Sequence, residues 1–221
     1  MRESAAKWDE LHANPRFRPA YPSEPVVRFL LSVRASLPAD LPPRFLDIGT
    51  GAGRHLALAS ELGFFPVGTD VSQNGLHHAR ERLTAKNASH AVLCTGMTEL
   101  PFADNTFPVV LSYGVFYYGT ADETRKAISE SRRVMCTGGK ILVVLRSTRD
   151  YRFGKGEELE FNTYRLKISD TNEFGATLHF VTAADIPEYF REFTQVSFES
   201  AEFTFGNRSR LNSDWIITAE K

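Results

Sequence analysis

Cysteine is scarce in this chain, with two residues, Cys94 and Cys136, among 221. Their spacing matches no metal-ligand pattern and cannot build a disulfide framework, so both are expected to be buried thiols in a reducing cytosol. An excess of either charge is also missing: 26 Lys and Arg face 27 Asp and Glu, a formal net charge of −1. Without a long basic run there is no electrostatic footprint for a nucleic acid, whose phosphates need clustered Lys and Arg. No apolar run is long enough to span a bilayer, and the start Met1-Arg2-Glu3-Ser4-Ala5-Ala6-Lys7-Trp8 lacks the apolar stretch of a signal peptide. A cytoplasmic location is expected. No repeat, low-complexity tract or linker divides the chain, and 42% hydrophobic with 24% charged residues is a globular composition. A chain of this length fits one α/β domain with a sizeable core.

The most specific signal is local. Phe45-Leu46-Asp47-Ile48-Gly49-Thr50-Gly51-Ala52-Gly53-Arg54-His55 ends an apolar run in an acid, crosses three alternating glycines and enters a helical segment. Glycines let the backbone turn sharply and approach a ligand with no Cβ in the way. Such a strand–loop–helix sits at the carboxyl edge of α/β sheets, where nucleotides bind. A dinucleotide fingerprint, G-x-G-x-x-G, would place its third glycine at Arg54, whereas here it is Gly53. A second strand ends in Asp70, about twenty residues on, where a carboxylate can accept both ribose hydroxyls of an adenosine. Asp70 and Ser72 also precede the helical run Gln73 to Lys86, so a helix cap is the alternative reading.

The G-x-G-x-G spacing and Asp70 are followed by Thr95-Gly96-Met97-Thr98-Glu99-Leu100-Pro101-Phe102 and Phe107-Pro108-Val109-Val110-Leu111-Ser112-Tyr113. Arg133-Val134-Met135-Cys136-Thr137-Gly138-Gly139-Lys140-Ile141-Leu142-Val143 completes the series. Together these resemble, in the right order, the motifs of class I S-adenosylmethionine-dependent methyltransferases of the small-molecule type, over residues 40 to 146 or so. The chain departs from that pattern at Gly96, at Pro108 and at Cys136-Thr137, where many relatives carry an acid, an acid and Lys-Pro. The resemblance implies S-adenosylmethionine as cofactor and no metal. It implies that Asp47, Gly49, Thr50, Gly51 and Gly53 border the methionine end, Asp70 holds the ribose and Val71 packs on the adenine. Met97 and Thr98 would border the adenine ring, with Ser112, Tyr113 and Gly114 beside the transferred methyl. Trp8, Phe17, Arg18 and Tyr21 are expected to fold over the cofactor, with Arg18 either paired to its carboxylate or solvated.

Helices are expected over 4–14 and 23–36, then strands near 44–48, 65–70, 90–94, 108–113 and 140–146 alternating with helices near 53–62, 73–86 and 121–135. That alternation implies a mainly parallel sheet covered on both faces. Amphipathic runs near 194–204 and 211–219, joined by Gly206-Asn207, suggest an antiparallel hairpin at the sheet edge. The expected fold is a Rossmann-like three-layer α/β sandwich with a mostly parallel seven-stranded sheet. Its single domain would comprise an N-terminal helical cap (1–40), a cofactor-binding core (41–146), an acceptor lid (147–180) and a C-terminal helix and hairpin (181–221).

Residues 147–180 are too long for a plain connection and read as a lid or a small added sheet. Arg146, Arg149, Arg152 and Lys155, interleaved with Tyr151 and Phe153, form either an anionic-acceptor clamp or a solvated loop balanced by Glu157, Glu158 and Glu160. No catalytic residue is legible. Tyr117 and His179 are the candidates, each with a packing or structural alternative, and His77 and His78 are expected at the surface. The reading is methyl transfer to a small-molecule acceptor without nucleic acid or membrane, a homodimer being left open. Its alternatives are a protein or RNA methyltransferase and a non-catalytic S-adenosylmethionine-binding protein.

Overall fold

The computed structural model describes residues 2–37 and 43–221; the expected cap–core boundary at residues 40 and 41 lies outside the described residues. Helices α1 (Arg2–Ala13) and α2 (Glu24–Ser36) flank a 3-10 turn at Pro15–Phe17. Strands β1 (Arg44–Ile48), β2 (Phe65–Asp70), β3 (Ala91–Cys94), β4 (Phe107–Ser112) and β5 (Met135–Ser147) then alternate with helices α3 (Arg54–Glu61), α4 (Gln73–Thr84) and α5 (Ala121–Val134). The boundaries of α5 follow from its ends. Thr120 and Glu123 form a reciprocal capping box, and Arg132 and Arg133 sit in the last turn, where the helix dipole favours positive charge.

Strands β3, β2, β1, β4 and β5 pair in parallel in that order. Strand β10 (Arg210–Glu220) runs antiparallel to β5 and carries β9 (Thr194–Phe205) on its outer edge, which completes the seven-stranded arrangement with its terminal hairpin. Alternate residues feed two apolar layers. Leu46, Ile48, Val110 and Val143 pack with Ala127, Ile128 and Val134 of α5. Phe45, Val109, Leu111 and Leu142 pack on the other face with Phe29 and Leu30 of α2, Leu56 of α3 and Leu83 of α4. Among the described residues no helix is long and apolar enough to cross a membrane.

Residues 147–180 have structure of their own. Strands β6 (Gly156–Glu160), β7 (Thr163–Leu166) and β8 (Thr177–Val181) form an antiparallel unit. It joins β5 at Arg146↔Phe180 and Ser147↔Val181, past the point where β4 pairing stops at Ser112↔Val143. This unit ends at Val181, one residue later than expected, and a short helix α6 (Ile186–Tyr189) follows. Two further expectations need correction. Strand β5 starts at Met135, because a register shift between Phe107 and Val109 absorbs the Gly138-Gly139 turn. The cysteines are not buried: Cys94 ends the edge strand β3 and is exposed, while Cys136 is half-buried, and both are free thiols.

The β6–β8 unit sits on a buried charge network. The Arg146 guanidinium pairs with Asp150 at 3.2 Å and Asp214 at 3.0 Å, and donates to Asn212 at 2.9 Å and to the Tyr117 hydroxyl at 2.7 Å. Arg152 adds a second contact to Asp150 at 2.9 Å and a short one to Glu173. Arg146→Ala would leave Asp214 without its cation and Asp150 with Arg152 alone, and breaking a buried pair in this way costs about 3–5 kcal/mol. Urea denaturation should show a loss of that order with an unchanged m-value.

Candidate functional site

The loop after β1 is built on backbone geometry that favours glycine. Gly49, Gly51 and Gly53 have φ of +74°, +52° and +74°. A Cβ at Gly49 would lie 2.2 Å from the Val115 side chain, and one at Gly53 would lie 2.8 Å from the Cβ of Ala79. The Gly49 and Thr50 N–H groups donate to the Thr69 carbonyl at 2.7 and 2.9 Å. The Gly51 N–H donates to the Asp70 carboxylate at 2.8 Å, and the other Asp70 oxygen accepts from Ser72 N–H at 2.8 Å. The N-cap of α4 is Ser72, whose Oγ accepts from Gly75 N–H. Asp70 therefore braces the loop instead of capping the helix, and each oxygen keeps a lone pair. Burial raises its pKa.

Helix α1 lies over this loop. Asp9 accepts from Asn74 N–H at 2.7 Å and from the Ser72 hydroxyl at 3.0 Å, which docks α1 on the start of α4. His12 packs against Gly51 and Gly75, with its Nδ1 buried and without a hydrogen-bond partner. Trp8 meets Tyr118 edge-on at a centroid distance of 4.7 Å, and the Lys7 ammonium donates to the Phe174 carbonyl. The glycine loop, α1, the segment after β4 and the β7–β8 unit enclose a cavity of about 880 Å³.

Gly49, Thr50, Gly51, Asp70, Val71, Met97, Thr98, Tyr113 and Gly114 all line this cavity, as do Trp8 and Phe17. Asp47, Gly53 and Ser112 stand behind the wall. Asp47 is buried, accepts from the Thr50 hydroxyl at 2.9 Å, and is pushed by burial to a pKa of about 7. Ser112 is buried under the strand end, and Gly53 is the left-handed cap of α3. Tyr21 points outward, and Arg18 meets His78 instead of the cavity.

The acceptor residues expected from the sequence are not among those that line the cavity. Tyr117 is buried with its hydroxyl on Arg146, and burial raises its pKa to about 12. Arg149 is exposed and paired to Glu202 at 3.1 Å. Arg152 is held by Asp150 and Glu173, because residues 147–153 turn back toward β10, where Tyr151 N–H donates to the Leu211 carbonyl at 2.9 Å. The expected arginine clamp is thus turned away from the cleft. His179 is fixed between the Thr163 hydroxyl at 2.8 Å and the Tyr189 hydroxyl at 2.6 Å, and burial lowers its pKa to about 4. Among the cavity residues that the sequence did not single out are Lys7, His12, Arg54 and Arg165. A signal existed for some. Trp8 and His12 share a helical face at i,i+4, and Arg54 directly follows the last loop glycine.

Residues 46–143 match the family described as methyltransferase domain. A demethylmenaquinone methyltransferase of Bacteroides fragilis is 30% identical over 118 residues, covering 49% of this chain and 45% of that protein. A probable tRNA methyltransferase 9B of Homo sapiens is 32% identical over 98 residues, covering 44% of this chain and 20% of that protein. The chain thus spans half or less of the length of these two relatives. The structure of Burkholderia thailandensis 1,6-didemethyltoxoflavin-N1-methyltransferase, with S-adenosylhomocysteine bound, superposes with a TM-score of 0.68 at 15% identity, covering 100% of this chain and 88% of the other.

The His179 ring is neutral in the fold, whereas the unfolded chain takes up a proton as pH falls through about 6.5. Its linkage costs nothing above that pH and removes stability between about 6.5 and 4, by about 1.4 kcal/mol per pH unit. His179→Gln should therefore flatten the fall in melting temperature over that interval while leaving the alkaline side unchanged.

Proposed function

We propose that the chain is a class I S-adenosylmethionine-dependent methyltransferase, a reading its matched core and its fold support, and that it methylates a small-molecule acceptor in the roofed cavity. The observation that carries this reading is the enclosure. A chamber of about 880 Å³ joins the glycine loop and Asp70 to a wall of Trp8, Tyr113 and Tyr118. Such a volume lies within the range of small-molecule sites, roughly 300–1,000 Å³.

The residues fit the cofactor on this structure's own terms. Gly51 leaves room that a Cβ would take, 3.2 Å from the His12 ring. Asp70 presents a braced carboxylate for the two ribose hydroxyls, Val71 and Met97 offer apolar contact for the adenine, and Gly49 to Gly51 border the methionine end. Arg54 joins them as a cation, with its guanidinium 5.5 Å from the Tyr113 ring centroid and within the field of Asp47. When bound, S-adenosylmethionine supplies an electrophilic methyl, which bonds to the acceptor's electron pair as the carbon–sulfur bond breaks and its pair stays on a neutral thioether. The protein's part is alignment and exclusion of water. Orientation of this kind accounts for about 7–11 kcal/mol of a barrier. His55 does not serve as a base: its Nε2 accepts from Ser23 N–H at 3.3 Å, and burial lowers its pKa to about 3.

An RNA acceptor is the second reading, favoured by the likeness to the tRNA methyltransferase relative. The roof of α1 over the cleft and the net charge of −1 weigh against it. A panel of metabolites and bulk tRNA, each assayed for S-adenosylhomocysteine release, separates the two.

Asp70→Ala should act twice. It removes hydrogen bonds to a charged group worth about 1.5–3 kcal/mol each, so the melting temperature should fall. At a temperature where the variant is folded, calorimetry should show S-adenosylhomocysteine binding weakened at least about tenfold. Unchanged affinity, or tighter binding of NAD than of S-adenosylhomocysteine by the parent protein, would remove the cofactor assignment.

A further inference from the structure

We propose that the acceptor is an anion with an aromatic body, its negative group held by Lys7 and Arg165 and its ring packed against Trp8 and Tyr118. This rests on the reading of the cavity as a methyltransferase site.

Charge around the cavity is unevenly matched. Its two lining carboxylates both serve the backbone: Asp70 accepts from Gly51 and Ser72, and Glu123 accepts from Thr120 N–H at 2.8 Å in the α5 capping box. Glu173, just behind the wall, is buried between Arg152 and the Tyr118 hydroxyl, so its charge is already met. The lining cations are less satisfied. Lys7 donates to a neutral carbonyl, that of Phe174, and its pKa is lowered first by burial. Arg165 has only a long, exposed pairing to Glu157 at 3.7 Å, a contact Glu157 shares with Lys167 at 3.9 Å.

The two cations belong to one rim. Phe174 precedes Gly175, and Arg165 lies opposite Thr177 in the β7–β8 register, while Gly175, Ala176 and Thr177 themselves line the cavity. Lys7 reaches this rim from α1 and Arg165 from β7. Between the rim and the glycine loop stands the Trp8–Tyr118 corner, with the rings at 74° to each other. The Tyr118 hydroxyl is anchored to Glu173 at 2.6 Å, so the ring is fixed as a wall. A carboxylate or phosphate on a flat ring satisfies both features at once, the anion on the two cations and the ring on the aromatic corner. A neutral ligand of the same shape would leave the half-buried ammonium with only the field of Glu173, a carboxylate already paired to Arg152, as counter-charge.

Three naphthalene probes of one size separate charge from shape: 2-naphthoate, 2-naphthamide and 2-naphthylmethylammonium. Each is titrated by calorimetry into the 221-residue chain, with and without saturating S-adenosylhomocysteine. The proposal expects naphthoate to bind at least about tenfold more tightly than the amide, with the ammonium weakest. Lys7→Gln combined with Arg165→Gln should erase that preference while leaving S-adenosylhomocysteine affinity within about twofold. The proposal is overturned if the amide matches naphthoate, if the ammonium binds best, if no probe binds, or if the double variant keeps the preference. A failure of S-adenosylhomocysteine to bind would instead overturn the methyltransferase reading, and the probe ranking without it still decides the anion site.

Discussion

Gly49 and Thr50 hang from the Thr69 carbonyl at 2.7 and 2.9 Å, and Gly51 hangs from the Asp70 carboxylate at 2.8 Å. Those hydrogen bonds tie the turn after β1 to the end of β2, and the floor of the cleft and the seat of α1 take their position from that tie. The turn needs left-handed backbone at three alternating positions, which glycine adopts without the Cβ penalty of other residues. It also needs close approach, since Gly53 leaves no room for a Cβ against Ala79 of α4. Helix α1 then has a surface to rest on, with His12 over Gly51 and Gly75 and Asp9 at the start of α4.

Buried charge divides the molecule into a part where the ions are paired with one another and a part where they are not. Below the β6–β8 unit, Arg146 and Arg152 meet Asp150, Asp214 and Glu173, with Asn212 and the Tyr117 and Tyr118 hydroxyls taking further donors and acceptors. This network favours one orientation of the small sheet on β5, because displacing it would strand several charges at low dielectric, although Arg146 Nε and Asp214 Oδ1 make no hydrogen bond of their own. At the cavity, by contrast, the acids are committed to backbone N–H groups and the cations are not paired to buried carboxylates. A rigid, neutralised support beneath and unmatched positive charge above is a suitable arrangement for selecting a ligand by its charge.

The fold was largely legible because its determinants are periodic. Apolar runs such as Phe45 to Ile48 and Val109 to Leu111 sit on a sheet covered on both faces, and Thr120 with Glu123 marks the start of α5. The loop glycines and Asp70 were legible for a different reason, since backbone geometry dictates their identity and spacing. On the acceptor side the sequence left a functional and a structural reading open for each residue, and the partners found in the fold support the structural one. Arg152 has the chemistry of an anion clamp, but Asp150 and Glu173 lie close enough to claim its guanidinium. His179 has the chemistry of a base, but a strand position between Thr163 and Tyr189 buries it neutral. Asp150 is only two residues from Arg152, but Glu173, Thr163 and Tyr189 are ten or more residues from the side chains they hold, and no local pattern announces those pairings.

The acceptor site proposed around Lys7, Trp8, Tyr118 and Arg165 would leave only a faint trace in the sequence. These residues come from three places in the chain, Lys7 and Trp8 from α1, Tyr118 from the segment after β4 and Arg165 from β7, which meet because α1 crosses from α4 to the rim of the β7–β8 unit. A direct displacement makes no demand for a fixed metal ligand set or a covalent nucleophile, so no residue type has to recur at a set spacing. What the reaction needs is a walled volume aligned on the end of β4, and many side chains can line a wall. The same fold can thus keep one cofactor grip while its roof is rebuilt for different acceptors. Acceptor choice in this chain is therefore to be sought in the charge and shape of the roof, not in the glycine loop that makes the chain recognisable.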